Sequence, residues 1–431
     1  MTDKKESYKE VFKARYDKLR NTKIFHIGRK FKLNKILQFI KFIINLIKWR
    51  GILRGELTSI EEILTGNFPN VEILNCENMR LSYTSPVFND GLNKKMELTE
   101  GKEYLQYTLI IKNAIVYGDS NFINLSSKEI LYDMPVFDKA KRYKFTDHNT
   151  RIKSIKENKA LYWKGITCTL EKAIWMGGSY SGNYYHLLYE FVIKFLQLNS
   201  LDIPLNIPVL VDKVCLEVPQ YKELLDIANK KGYQLIGINR KSRVKAGELI
   251  YISCPNFIPP NNTKDDNIRP DDMQFNISVL RDLRDYFLPY SSQRKFPKRI
   301  FISRKNASDR RKFNEDAVIQ LFSEFGFEVI LPETLSIPDQ ISLFNQAEWI
   351  AGGSGAAFTN LLFCNSGIKV ILFLNSRCLT STFSTIACTV NADLIYITEE
   401  DTNKNICFNN IHESFELNLS YLKSFLVEVG L

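Results

Sequence analysis

The 431-residue chain has only four histidines, no Cys-x-x-Cys pair and no His or Cys pair at ligand spacing, so a structural zinc site is not expected. Its eight cysteines (76, 168, 215, 254, 364, 378, 388 and 407) are scattered, with no signal-like segment ahead of them. That pattern suits free thiols in a reducing compartment, and the chain is expected inside the cell. Proline and glycine are not enriched, while hydrophobic residues make up 45% and charged residues 25%, proportions that exclude a disordered or fibrous chain. Positive charge is scarce outside one segment. Residues 1–50 hold 15 Lys and Arg against 4 Asp and Glu, so the net charge of +10 belongs to a tail and the remainder is nearly neutral. A duplex binder would spread a basic face over a folded domain, and a single-strand binder would interleave aromatics with basic runs. Neither pattern is present, and nucleic acid is not an expected partner.

What the tail does contain is Phe31 to Arg50, FKLNKILQFIKFIINLIKWR. Asn34, Gln38, Lys41, Asn45 and Lys48 recur every three or four residues, so a helix gathers them on one side and Leu33, Ile36, Leu37, Ile40, Ile43, Ile44 and Ile47 on the other. Lysines interrupt every apolar run short of the ~18 residues of a spanning helix. With Arg29 and Lys30 before it and Trp49 at its end, residues 29–50 read as a basic amphipathic helix lying on an anionic membrane surface. The alternative is a helix packed on the protein's own core.

From about residue 70 short β-like runs alternate with helix-like ones. Ile207 to Asp212, Pro219 to Lys231 and Tyr233 to Ile238 read as strand, helix, strand. After Pro297 the alternation is cleaner. Strands are expected at Arg299 to Ser303, Glu328 to Leu331, Trp349 to Ala351 and Val370 to Leu374, separated by helices at Asn314 to Phe325, Ile337 to Gln346 and Ala356 to Phe363. Nearly continuous apolar strands between helices imply a parallel sheet covered on both faces, with ligands beyond the strands' carboxyl ends. The domain expectation is an extension at 1–65, an α/β domain at 66–270, a second at 271–410 and a terminal helix at 411–431.

Three stretches carry candidate chemistry. Ile350 to Ala357, IAGGSGAA, is a strand-to-helix turn whose glycines let a phosphate approach backbone amides at a helix N-terminus, or else serve only close packing. The strand ending at Ser303 runs into Arg304, Lys305, Asn306, Ser308, Arg310 and Arg311, with Asn314 opening the next helix. Guanidinium and ammonium groups are the usual partners of a diphosphate, and in a parallel sheet this loop shares an edge with the glycine turn. Lastly, Gly177 to Glu190, GGSYSGNYYHLLYE, reads as a loop followed by a helix beginning near Asn183. His186 and Glu190 then share a helical face, so the carboxylate can orient an imidazole acting as general base, unless local hydrogen bonds alone account for the histidine.

Gly178 to Leu198, GSYSGNYYHLLYEFVIKFLQL, together with Lys298 to Phe373, resembles the capsular polysaccharide members of glycosyltransferase family 61, over roughly residues 160–375. The resemblance implies a GT-B architecture: an α/β chain of two Rossmann-like domains with parallel sheets facing a central cleft, beside the helical N-terminal extension. It implies inverting transfer of a hexosyl or pentosyl group from a nucleotide-sugar donor to a hydroxyl of a cell-surface glycan or lipid-linked glycan. Donor-binding positions would be Arg304, Lys305, Arg310, Asn314, Glu333, Gly353, Ser354, Gly355, Ala356 and Asn360. Asn183, His186 and Glu190 would form the catalytic side, the first two falling on the family's Gly-Asn-x-x-His motif. Ser354 departs from the histidine that many members carry there. No Asp-x-Asp is present, so transfer without a metal or other cofactor is expected, at the inner face of the cell membrane. Two other readings are a nucleotide-sugar epimerase of the same fold, which would not need the basic tail, and a non-catalytic scaffold of a polysaccharide assembly.

Overall fold

The computed structural model describes residues 52–88, 96–132, 149, 152–156, 159–163, 165–258, 269–307, 311–376, 380–399 and 413–431. The amphipathic segment at 29–50 and Arg310 lie outside the described residues. The elements that form the site all belong to one compact unit, Arg54–Tyr162 with Ile166–Leu431.

Among the described residues there are two sheets. The first holds twelve strands: β1 (Ile52–Thr58), β2 (Val71–Tyr83), β3 (Thr99–Lys112), β4 (Ile115–Tyr117), β5 (Phe122–Asn124), β6 (Glu129–Tyr132), β7 (Ile152–Lys156), β8 (Lys159–Trp163), β9 (Cys168–Trp175), β10 (Val209–Asp212), β11 (Leu235–Ile238) and β12 (Arg243–Ile252). The expectation of a parallel sheet here needs correcting, because this sheet is mixed. The run β11–β10–β9–β12 is parallel throughout, and β6 and β1 also pair parallel. β4, β5 and β6 follow one another through four-residue links, too short for a crossover, and pair antiparallel.

The second sheet matches the expectation. β13 (Arg299–Ile302), β14 (Glu328–Ile330), β15 (Trp349–Gly353), β16 (Lys369–Phe373) and β17 (Asp393–Ile397) are all parallel, in the order β14–β13–β15–β16–β17. Successive residues point to opposite faces. Ile300, Ile302, Ile350, Val370 and Leu372 join one apolar cluster, whereas Phe301, Ala351, Ile371 and Phe373 join another with Val318, Phe322, Leu422 and Phe425. Both faces are therefore dry, which is why these strands read as unbroken apolar runs. After β13 the chain moves to one side and after β14 returns to the other, so the order switches direction between β13 and β15. Open α/β sheets bind ligands at that crevice.

Two helices differ from the spacing. Ala356–Phe363 winds as a 3-10 helix capped by Gly355, not as an α-helix. The expected helix after Asn183 is composite. An α-helical turn at Tyr184–His186 leads into a π-helix at Leu187–Val192, then an α-helix at Lys194–Ser200. Wider π turns occur often at functional sites. All six residues of this π segment are buried. Its Leu187, Leu188 and Val192 belong to the same apolar cluster as Ile174 and Val209 of the first sheet, Ile300 and Ile350 of the second, and Phe358 of the 3-10 helix. The core that supports the site is continuous between the two sheets.

Candidate active site

Ile302 of β13 is in register with Gly352 of β15, so the two strands leave the sheet side by side. Arg304 follows one and the Gly353-Ser354-Gly355 turn follows the other. The Arg304 guanidinium lies on the turn and donates from Nη1 to the Ser354 carbonyl at 2.6 Å. The glycines are what make room for it. A Cβ on Gly353 would come within 2.8 Å of Arg304 Cδ and 2.7 Å of Phe313, and one on Gly355 would collide with the guanidinium itself. Gly352 has φ +154°, a conformation side chains rarely adopt. The Arg304 backbone amide donates to Glu315 Oε1 at 2.6 Å. Arg311 also turns inward, with Nη1 3.3 Å from the buried Ser354 hydroxyl. Burial pulls the Arg304 pKa down to about 10, with the nearby Arg311 charge adding to the fall and Glu315 opposing it. The Arg304 guanidinium remains charged at neutral pH. Two cations held against one buried serine create a field that favours an anion.

Beside them opens a pocket of about 380 Å³. Ser303, Arg304, Asn306, Glu333, Gln340, Gly353, Gly355, Ala356 and Ala357 line it from the second sheet's loops, and Tyr184, Val218, Gln220 and Tyr221 from the other side. Asn306 donates to Glu333 Oε1 at 3.0 Å, and Gln220 donates to the Glu333 carbonyl at 2.8 Å. The structure thus gathers Arg304, Glu333, Gly353, Gly355 and Ala356 round one cavity, with Ser354 buried behind it. Lys305 points to solvent and pairs with Asp316 at 2.7 Å. Asn314 spends its amide elsewhere, donating to the Leu417 carbonyl and accepting from the Leu417 amide, both at 2.9 Å. Asn360 is fully buried and lines no part of the pocket.

Asn183 caps the helical turn, its Oδ1 accepting from the Tyr185 amide at 3.0 Å. His186 Nδ1 is bonded to Oε1 of the buried Glu190. Tyr180 stacks on the imidazole with ring centres 5.2 Å apart, and Tyr185 meets it edge-on at 5.1 Å. The bond to Glu190 places the proton on Nδ1 and leaves Nε2 as the acceptor. His186 does not line the 380 Å³ pocket. Tyr180 and Asn183 instead border a second groove of about 440 Å³ with Gly182, Asp119, Asp212 and Arg240.

Reading of the sequence missed Asp212, the polar end of an apolar strand. It is buried, and accepts from the Gly178 amide at 2.9 Å, the Ser181 hydroxyl at 2.8 Å and the Asp119 amide at 2.5 Å. It thereby holds the loop that carries Asn183. Burial drives its pKa up to about 7 against the pull of those hydrogen bonds. Tyr184 and Gln340 were missed as well. Their only signals were a tyrosine pair and a helix. Among the described residues no cluster of three or more His, Cys, Asp and Glu is placed to hold a metal ion, and no helix is long and apolar enough to cross a membrane.

The second sheet and its edge define an α/β protein with two guanidiniums beside the crevice at the switch of strand order. A family model described as Glycosyltransferase 61 matches residues 184–371, less than half of the chain. The match supports glycosyltransferase activity. It includes every candidate residue named from the sequence except Asn183, and it does not single out the capsular members. No curated protein matches the chain.

Two outcomes follow from this geometry. Asn314→Ala breaks the clamp on Leu417 and lowers stability by about 1–3 kcal/mol in denaturant unfolding, with nucleotide affinity unchanged if the residue has no donor role. The Asp212 carboxyl is easier to protonate in the folded chain than in the unfolded one. Its contribution to stability therefore declines as pH rises from its ordinary value near ~4 to about 7. Unfolding of wild type and Asp212→Asn across that window should show a falling slope in wild type that the variant lacks.

Proposed function

We propose that the protein transfers a sugar from a nucleotide-sugar donor to a hydroxyl of a cell-surface or lipid-linked glycan. The observation that carries this reading is the convergence of Arg304 and the glycine turn on one pocket at the switch point, within the segment that matches the family, with Arg311 held on the Ser354 hydroxyl behind it. The donor's diphosphate sits against the Arg304 guanidinium, which with the Arg311 charge behind it offsets the charge that develops as the anomeric carbon–oxygen bond breaks. Tyr184 and Tyr221 form the facing aromatic wall. The acceptor enters by the groove bordered by Tyr180 and Asn183, because Tyr180 connects that groove to the imidazole. His186 Nε2 takes the proton from the acceptor hydroxyl, and buried Glu190 stabilises the imidazolium that results. Attack from the side opposite the leaving diphosphate inverts the anomeric centre. Guanidinium groups, not a divalent cation, neutralise the diphosphate in this scheme.

The membrane-surface role of residues 29–50 belongs to the same proposal. It places the enzyme on the inner face of a membrane, where a lipid-linked acceptor is held.

Thermal unfolding in the presence of uridine, guanosine and cytidine diphosphates tests the donor site. A nucleotide at a hundred times its Kd adds about 2.7 kcal/mol. The expected shift occurs with one base, persists with a chelator and is lost in Arg304→Ala. With the matching sugar donor, His186→Ala lowers turnover by about 10²- to 10⁴-fold while the nucleotide shift remains. A shift that survives Arg304→Ala removes the pocket from the mechanism. Co-sedimentation with vesicles tests the surface role. The full chain is expected to pellet with anionic but not neutral lipid, and deletion of residues 1–50 to abolish this; unchanged binding after deletion overturns it.

A further inference from the structure

We propose that Tyr184 and Asn360 are positioning residues that couple occupancy of the 380 Å³ pocket to the setting of the His186 imidazole; the inference rests on the donor reading of that pocket. Tyr184 lines the pocket and donates its hydroxyl to Asn360 Oδ1 at 2.7 Å. Asn360 donates in turn to Gln340 Oε1 at 2.8 Å, and Gln340 lines the same pocket. Asn360 is 0% exposed, so no ligand reaches it and it acts only through these two neighbours. Five residues after Tyr184, the buried Tyr189 donates to the carbonyl of Thr359 at 2.8 Å.

The two anchors stand on either side of a change in winding: Tyr184 is on the α-helical turn and Tyr189 is in the π segment. The bonds of the π segment run from residue i to i+5, as in the 3.2 Å bond from the Ile193 amide to the Leu188 carbonyl. Its wider turn narrows the angle between Tyr184 and Tyr189 relative to an unbroken α-helix. Tyr184 and Tyr189 can then seat on adjacent residues, Asn360 and Thr359. His186 lies between the two anchors, and Glu190 follows the second. Thr359 and Asn360 stand on the same 3-10 helix as Ala356 and Ala357, which border the pocket. A ligand pressed against the pocket wall thus bears on the anchors that fix the imidazole. Asn360, expected from the sequence as a donor contact, does its work one residue removed.

Histidine-selective nitrogen NMR on the full chain reads the coupling without needing turnover. Only four imidazoles are present, at 26, 148, 186 and 412, and the His186 signal is assigned by its loss in His186→Gln. The nucleotide diphosphate among uridine, guanosine and cytidine that raises the melting temperature is expected to move the His186 ring signals in wild type. In Tyr189→Phe, and separately in Asn360→Ala, neither of which removes a side chain that lines the pocket, the same nucleotide should still raise the melting temperature, but the displacement of the His186 signals should fall by half or more. A purely structural residue would alter the free-state signal and leave the nucleotide-induced displacement intact. Bound nucleotide that moves His186 equally in wild type and both variants, or in none of them, overturns the coupling and leaves the donor pocket standing. Failure of all three nucleotides to bind wild type overturns the donor reading and the coupling with it.

Discussion

The contact on which the second sheet's carboxyl edge depends is the guanidinium of Arg304 lying on the backbone of the Gly353–Gly355 turn. The parallel register of β13 and β15 delivers both partners to the same place, and the glycines exist in part because a side chain there would strike the arginine. The same contact brings Ser354 within reach of Arg311. Burial and the Arg311 charge both make the Arg304 guanidinium costlier to keep ionised. On the proposed function, an arriving diphosphate would relieve that cost. The hydroxyl of Ser354 orients a cation here, a role an imidazole at that position would not need to share.

A continuous core gives this edge its rigidity. The helix from Tyr184 to Ser200 follows a loop of the first sheet, yet its apolar side chains pack among residues of both sheets. The buried Glu190 carboxylate under His186 is tolerable because the imidazole bonds it directly, satisfying a charge that would otherwise be expensive in so dry a setting. The loop before the helix is fixed by another buried carboxylate, Asp212, which gathers two backbone amides and a hydroxyl. One acid holds the loop and one holds the ring.

Much of the second sheet was legible in the sequence because its strands are buried on both faces, so β13, β15 and β16 appear as short unbroken apolar runs between helices. The Arg304 loop and the glycine turn could be placed on one edge from parallel topology alone. The first sheet was less readable. β4, β5 and β6 are only three or four residues long, and nothing in them announces which neighbour each will choose. The π winding after His186 left no trace in residue spacing, because i and i+4 apolar contacts suit either helix. Asn314 misled for a physical reason: an asparagine that opens a helix beside a basic loop looks the same whether its amide faces a ligand or, as here, the backbone of Leu417. Asp212 was visible as a residue but not as a hub, since its partners at 119, 178 and 181 are brought together only by the fold.

The continuity of the core also sets the unit in which this protein can be recombined. A break near residue 271 looks natural from the alternation of strands and helices, and an exchange there would appear to move a whole donor module between relatives. The span that matches the family, however, begins at Tyr184, at the point where the chain first touches the 3-10 helix behind the glycine turn. A graft taken from residue 271 onward would leave behind the tyrosines that seat on Thr359 and Asn360, and would face the new crevice with a helix shaped for the old one. To exchange this crevice intact, the helix from Tyr184 to Ser200 has to travel with the second sheet.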